Sequence, residues 1–536
     1  MNSDLVYKLV GLDSKGWSWL WEGANNVDKL TPAILSLLTL AIFLYLWTSK
    51  VSRKETPPLP PGPRGLPIVG YLQFLDSDLH RSFSELAHVY GPIMKLRLGY
   101  KLCVVLSSPS LAKEVLRDHD ITFANRDQTI AAMAITSGGR DIAFSQYGPY
   151  WRMMRKVCVR EMLSNSSLDS SYALRRDEVR KTVRDVYTKI DTPINICELV
   201  FLTNLEVVMS MLWGGTLGGE ESRVRGEFRE LSGKIVEYIG KTNISDIFPI
   251  LAPFDIQGVE REMKKLMPWV DRIFDSIIDD RLKLNGEKGE QSSNHKGNKD
   301  LLEILLQLNE QGDTERPLTR TEMKAVLMDM VVAGTDTTST TVEWAMAELL
   351  QHPEVMRRAQ EELDDVVGVN NIVEESHLPK LQYLDAIVKE TIRLHPALPL
   401  LVPHCPSQSC IVGGYTVPKG TTVFLNVWVM QRDPQVWNNP LEFQPERFLR
   451  DAGRCDFSGN NFNYLPFGSG RRMCAGITLA QRMLMYLLAS LLHSFLWQLP
   501  KDTELDFTEK FGVVLKKKIP LIAVPTPRLS NLKVYV

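Results

Sequence analysis

The chain has 536 residues, 62 Lys plus Arg against 64 Asp plus Glu, 44% hydrophobic residues and a net charge of −2. This near-neutral balance excludes a polyelectrolyte, a disordered chain and a nucleic-acid binder. Seven cysteines, odd in number and scattered, exclude a disulfide framework or zinc ribbon and read as reduced thiols facing the cytosol.

Residues 30–49, LTPAILSLLTLAIFLYLWTS, are uncharged, and at about 1.5 Å per helical residue they reach roughly 30 Å, one hydrocarbon thickness. The run starts late and ends without a small-residue cleavage site, which favours an uncleaved signal anchor over a cleaved signal peptide. Lys50, Arg53, Lys54 and Arg64 follow closely, so residues 1–29 are expected in the lumen and the remainder in the cytosol, leaving the sequons at Asn165 and Asn243 unmodified. Residues 50–67 add a basic flank and PPLPPGPRGLP, a stiff extended hinge. Residues 68–536 form one globular body. Within it, Ile93 to Ser107 predicts two short strands around Gly99, Asn285 to Asp300 predicts a polar surface loop, and helical period dominates elsewhere. The fold class is mainly α with minor β.

The chemistry-bearing motifs lie in this body. Trp151 and Arg155, four apart in YWRMMRK, share one helical face. Thr319 and Glu322 form a capping box that opens a long helix running to a stop at Pro353. In its middle, Ala333-Gly334-Thr335-Asp336-Thr337-Thr338 combines a helix-weakening glycine with hydroxyls able to bond back to earlier carbonyls. By themselves these residues fit either a kinked core helix or a site that handles protons. Glu390 and Arg393 place opposite charges three apart, which alone reads as an exposed pair worth about 0.3 kcal/mol; Arg447 follows in PERF. Last, FGSGRRMCAG at 467–476 presents one thiol on a glycine-punctuated turn before a helix. The glycines admit a flat partner, and the helix N-terminus stabilises a thiolate. Alone, the cysteine fits a reactive thiol or, as isolated cysteines more often are, a merely buried one.

The spacing F-x-x-G-x-R-x-C-x-G, filled by Phe467, Gly470, Arg472, Cys474 and Gly476, resembles the haem-binding loop of the cytochrome P-450 superfamily, and the other motifs follow in that family's order. The resemblance implies the cytochrome P-450 fold, a triangular helical domain with a small β-sheet region behind an N-terminal transmembrane helix. It implies haem b with Cys474 as axial thiolate, and Asp336 and Thr337 as the acid and alcohol that deliver protons for oxygen–oxygen cleavage. Glu390, Arg393 and Arg447 would be a structural cluster. Phe467 would sit beside the haem, whose propionates would be held by Trp151, Arg155, Arg472 and His404; the last stands where relatives often have arginine, so its charge would depend on pH. Electrons would come from NADPH through a separate FAD- and FMN-containing NADPH-cytochrome P-450 reductase, with cytochrome b5 as a further donor. Arg152, Lys156, Arg160 and Arg471 are candidates for a basic docking patch. The location implied is the endoplasmic reticulum membrane, crossed once.

Segments such as KLCVVLSSPSLAKEV and SDIFPILAPFDIQG are similar to the plant microsomal family that contains cadinene-type sesquiterpene hydroxylases and flavone hydroxylases. A mid-sized hydrophobic substrate, sesquiterpenoid or flavonoid, is implied. Its pocket would be built by Ile135, Ile142, Ala143, Val332, Ala333, Leu401, Val402, Val513 and Val514, with Ser137 and Arg140 available to substrate hydroxyls. The expected reaction inserts one oxygen atom of dioxygen into a C–H bond. A haem-thiolate isomerase or dehydratase working without a reductase is the competing class, and a haem carrier the third.

Overall fold

The computed structural model describes residues 57–214, 221–287, 300–311, 317–450 and 455–535, together with Ser36, Thr39, Leu40 and Phe43. The expected lumenal segment and anchor lie outside the described residues except for those four, which are helical. Most of the expected polar loop at 285–300 lies outside them too. Two units divide the chain, one of Met1–Pro58 and Leu66–Ile68, the other of Leu59–Gly65 and Val69–Val536. The second carries the fold.

It opens with helix α1 (Leu79–Tyr90) and the hairpin β1 (Ile93–Leu98) and β2 (Lys101–Leu106), the two strands expected around Gly99. Gly99 turns at φ +58°, and a Cβ there would lie 2.5 Å from Ile247, so only glycine fits. The proline-rich run is tied to this hairpin where Lys95 N–H donates to the Pro61 carbonyl at 2.7 Å. Next come β3 (Asn125–Arg126), α2 (Ile130–Ile135), α3 (Pro149–Val157), α4 (Tyr172–Tyr187), α5 (Ile196–Trp213), α6 (Glu221–Gly240) and α7 (Val259–Glu287). The chain continues through α8 (Arg320–Gln351), α9 (Gln382–Leu394), β4 (His404–Cys405), β5 (Thr422–Leu425), α10 (Ile477–Ser494), β6 (Glu509–Lys510) and β7 (Lys516–Lys517). Helices dominate and the sheets are small, as expected.

The largest sheet has the order β1-β2-β5-β4-β3. Strand β5 runs parallel to β2, and the two-residue β3 and β4 pair antiparallel, setting Arg126 opposite His404. Those two residues are 278 positions apart in the chain, so only this pairing brings them together.

Helix α8 is the axis of the helical part. Its capping box forms as the sequence requires: Glu322 N–H donates to Thr319 Oγ1 at 3.3 Å, and Thr319 N–H donates to Glu322 Oε2 at 2.9 Å. It ends at Gln351, two residues before Pro353. The threonine hydroxyls bond back as expected, Thr335 to Val331 at 2.8 Å and Thr337 to Ala333 at 2.7 Å, and the helix stays continuous through Gly334. There a Cβ would approach Val208 of α5 to 3.2 Å, so the glycine allows close helix packing.

Among the described residues, α5 is long and apolar enough to cross a membrane, but two-thirds of it is buried inside the protein. It is apolar all round, which marks a core helix. Asn195 caps its start by accepting from Glu198 N–H at 3.1 Å, and Gly214 at φ +81° ends it. Fully buried residues on these two helices, such as Leu205 and Val326, contribute about 1.5–3 kcal/mol each.

Candidate active site

The ten-residue loop ahead of α10 is shaped by its glycines. Gly468 and Gly470 take φ +72° and +67°, and a Cβ at Gly470 would strike the Leu116 carbonyl at 2.3 Å. Cys474 N–H donates to the Phe467 carbonyl at 3.0 Å, closing the loop and turning the thiol into a cavity of about 360 Å³. Cys474 is exposed, but to this cavity. The surrounding chain still desolvates the sulfur and raises its pKa, against the Gly476 N–H and the Arg155 guanidinium, which favour the thiolate. Among the described residues it is the one thiol lining the cavity.

Cations gather around the same space. Arg155 donates to the Met473 carbonyl at 2.5 Å, beside Cys474. Arg472 lies 4.4 Å over the Trp151 ring and donates to the carbonyls of Ala124 at 2.6 Å and Ile142 at 3.1 Å. The Trp151 indole N–H donates to the same Ile142 carbonyl at 3.0 Å, so Trp151 supports this wall without lining the cavity. Arg126, absent from the expected donors, lines the cavity and donates to the Val402 carbonyl at 2.6 Å. Burial, then the charges of Arg472 and Arg155, push the Arg126 pKa down to about 9; burial takes Arg472 to about 10. Three guanidiniums drawn from water into one wall need an anion.

His404 differs from the expectation that its charge depends on pH. It is buried, its Nδ1 faces the Phe123 carbonyl at 2.8 Å, and burial followed by the Arg126 charge pushes its pKa well below the usual value. The ring is therefore neutral near pH 7, with Nδ1–H donated and Nε2 left as an acceptor. A carboxylate bound beside it would draw the pKa back up.

Helix α8 presents Asp329, Ala333, Thr337 and Thr341 to the cavity, one residue every four. Asp336 is not on this stripe. It is buried on another face, with Oδ1 paired to Lys516 Nζ of β7 at 2.6 Å and Oδ2 without a partner among the described residues. The acid and alcohol adjacent in sequence are thus turned apart. All nine expected pocket residues line the cavity: Ile135, Ile142, Ala143, Val332, Ala333, Leu401, Val402, Val513 and Val514. Ser137 and Arg140 do not; besides the arginines and His404, the polar lining comes from Thr136, Asn204, Asp329, Ser469 and the threonines of α8.

Away from the cavity the structure brings Glu390, Arg393 and Arg447 together. Arg393 grips Glu390 with two bonds of 2.7 and 2.8 Å, and Arg447 Nε adds one of 2.9 Å. Glu390 and Arg393 are both fully buried, so the spacing that alone suggests an exposed pair forms a desolvated one.

Residues 60–524 match the cytochrome P450 family model. The chain belongs to the cytochrome P450 family. It is 39% identical to the flavonoid 3'-monooxygenase of Petunia hybrida, covering 94% of this chain and 99% of that protein. It is also 39% identical to carnosic acid synthase of Salvia pomifera, covering 92% and 99%. A zebrafish cytochrome P450 solved with progesterone has a TM-score of 0.71 at 27% identity, covering 84% of this chain and 99% of that one. The protein is a cytochrome P450 monooxygenase. The family implies haem with a thiolate ligand, and the residues fit that group: one thiol on a glycine cradle for the iron, and a wall of cations for two carboxylates.

Proposed function

We propose that the chain is a membrane-anchored enzyme of the endoplasmic reticulum that uses NADPH and dioxygen to hydroxylate a mid-sized plant metabolite of flavonoid or terpenoid scaffold. One observation carries the reading: a single cavity gathers the Cys474 thiol, the cations Arg126, Arg155 and Arg472, the Thr337 hydroxyl and a largely apolar remainder. Flat phenolics and compact terpenoids both fit such a lining. The relatives named above, a flavonoid hydroxylase and carnosic acid synthase, support both scaffolds equally.

Cys474 and the guanidiniums of Arg126, Arg155 and Arg472 would hold a haem, which when bound would supply the oxygen chemistry. The chain's own part is to hold substrate and move protons. Thr337 Oγ1 donates to the Ala333 carbonyl on the cavity wall, a position from which its hydroxyl would hold and relay a proton. Asp336, paired with Lys516, would feed the proton path from the far side of α8. The apolar residues keep water from competing.

Electrons come from an NADPH-dependent reductase docking at the exposed Arg152 and Lys156 of α3, with Arg160 and Arg471 beside them. The same helix carries Arg155, which reaches the residue next to Cys474, so this face lies close to the sulfur.

The test is turnover of a flavone and terpene panel by reductase-supplemented microsomes, read by mass spectrometry. Products heavier by one oxygen and dependent on NADPH are expected; turnover without NADPH would move the enzyme to the isomerase or dehydratase class, which the monooxygenase relatives do not favour. Thr337→Ala is expected to keep consuming NADPH while product per NADPH falls at least about tenfold, since a positioned proton donor contributes about 10² or more. Unchanged coupling would remove Thr337 from the proton path.

A further inference from the structure

Two carboxyl groups meet at the cavity wall, and neither has a role above. Asp141 lies between α2 and α3; Asp329 lies on α8, one turn before Ala333. Asp329 Oδ2 accepts from the N–H groups of Ile142 at 2.7 Å and Ala143 at 3.2 Å. Asp141 Oδ2 accepts from Phe144 N–H at 3.0 Å. Asp141 is completely buried, and its Oδ1 has no N–H or O–H donor among the described residues.

What faces Asp141 is the carboxyl of Asp329, within hydrogen-bonding range. Two buried carboxylates in contact cannot both be ionised. One O–H between them removes the repulsion and satisfies the orphaned oxygen. The neighbours decide which group keeps it. Arg126 of β3 and Arg472 of the cysteine loop act on Asp141 and favour its charge, whereas the Cys158 thiol, just beyond α3, is the neighbour of Asp329 and offers no cation.

We propose that Asp329 carries a proton, donates it to Asp141 Oδ1, and with it latches the 141–145 segment onto α8. Burial raises the pKa of both groups, and the Asp141 charge drives Asp329 further, in agreement with this assignment. The latch sets two parts of the site at once. The segment supplies Ile142 and Ala143 to the substrate wall, and the Ile142 and Ser145 carbonyls hold the indole of Trp151 and the guanidinium of Arg472. Asp141 and Asp329 are thus positioning residues, acting through a backbone segment on substrate and on the anion-binding wall. The inference goes beyond the proposed reaction and holds for any substrate.

The sign of the pH effect follows. A carboxyl whose pKa is raised by folding contributes stability that is full below the unfolded value, about 4, and is lost as pH rises through the folded value. The 141–145 segment should therefore loosen on the alkaline side.

The experiment compares the haem-loaded full chain with Asp329→Asn, Asp329→Ala and Asp141→Asn. Asparagine at 329 keeps an oxygen for the Ile142 and Ala143 amides and has an N–H for Asp141, so it imitates the protonated acid. Three readouts are expected. The infrared C=O stretch of a buried protonated carboxyl is present in the parent at neutral pH and missing in Asp329→Asn. Amide exchange at Ile142 and Ala143 rises with pH in the parent, stays flat in Asp329→Asn, and is at least about tenfold faster in Asp329→Ala, the scale of one lost buried hydrogen bond. KM rises in Asp329→Ala with little change in kcat, and Asp329→Asn restores it. Asp141→Asn also supplies an N–H at the contact and retains slow exchange. Asp329→Asn as damaging as Asp329→Ala, or a parent without the protonated carboxyl band, overturns the proposal. The infrared and exchange readouts need no turnover, so an error in the assigned reaction leaves them interpretable.

Discussion

Cys474→His is expected to fold, to retain a cavity of similar shape, and to lose the red-shifted Soret band that marks a thiolate ligand in the ferrous carbonyl complex. Product formation should fall by roughly 10³ or more, about 4 kcal/mol in the barrier. No other thiol among the described residues lines the cavity to substitute for it. Burial pushes the Cys103 and Cys158 thiols up to about 12, and neither lines the cavity. Cys474 sits on a loop in which Gly470 admits nothing larger, with the Gly476 N–H and Arg155 favouring its charged form against burial. The side chain projects into the cavity and not into the packed core, so its replacement barely affects packing, and the loss should be confined to spectrum and turnover. A variant that keeps the thiolate band would refute the ligand assignment, because it would need sulfur from a residue that does not reach the cavity.

How far the site could be read from sequence depends on the range of each signal. The T-x-x-E box, the glycine-cysteine loop and the two strands around Gly99 are local patterns, and each forms as written; the E-x-x-R pair also forms, but its burial is set by the fold around it. Arg126 carries no local mark: it becomes a member of the cation wall only because β3 pairs with β4, which sets it opposite His404. Asp141 and Asp329 are hidden for the same reason, since nothing in either neighbourhood announces the other.

The orientation of Asp336 is legible in the helical period. Positions 329, 333, 337 and 341 share one stripe of a 3.6-residue helix, and 336 is turned about 100° from 337, so adjacency in sequence argues against a shared face. The same wheel would have put Asp329 on the cavity side. His404 shows another limit. Its residue type suggests titration near neutrality, but burial, and then the guanidiniums brought from β3 and from the cysteine loop, hold it neutral.

Glu390→Ala should produce the largest loss of stability, and its size follows from burial. The carboxylate receives both Arg393 nitrogens, Arg447 Nε and Gln444 N–H at 2.8 Å, and it is inaccessible to solvent. Arg393 also donates to the carbonyls of Gln431 at 2.9 Å and Pro440 at 2.7 Å, but those dipoles leave its charge unbalanced once Glu390 is gone. Stranding one buried charge costs about 3–5 kcal/mol. Against a typical total of about 5–15 kcal/mol, that should lower the denaturation midpoint sharply and deplete the haem-loaded fraction. The internal control is Glu361→Ala. Its partner Arg357 lies four residues away on one helix, a similar sequence signal, yet both side chains are more than half exposed. Solvent screens that pair, and its loss should cost about 0.5 kcal/mol or less. Replacing Glu390 and Arg393 together by methionine should cost less than the sum of the single changes, because no charge is stranded between them. Additive losses in urea unfolding would mean that the buried pair is not coupled as its geometry requires.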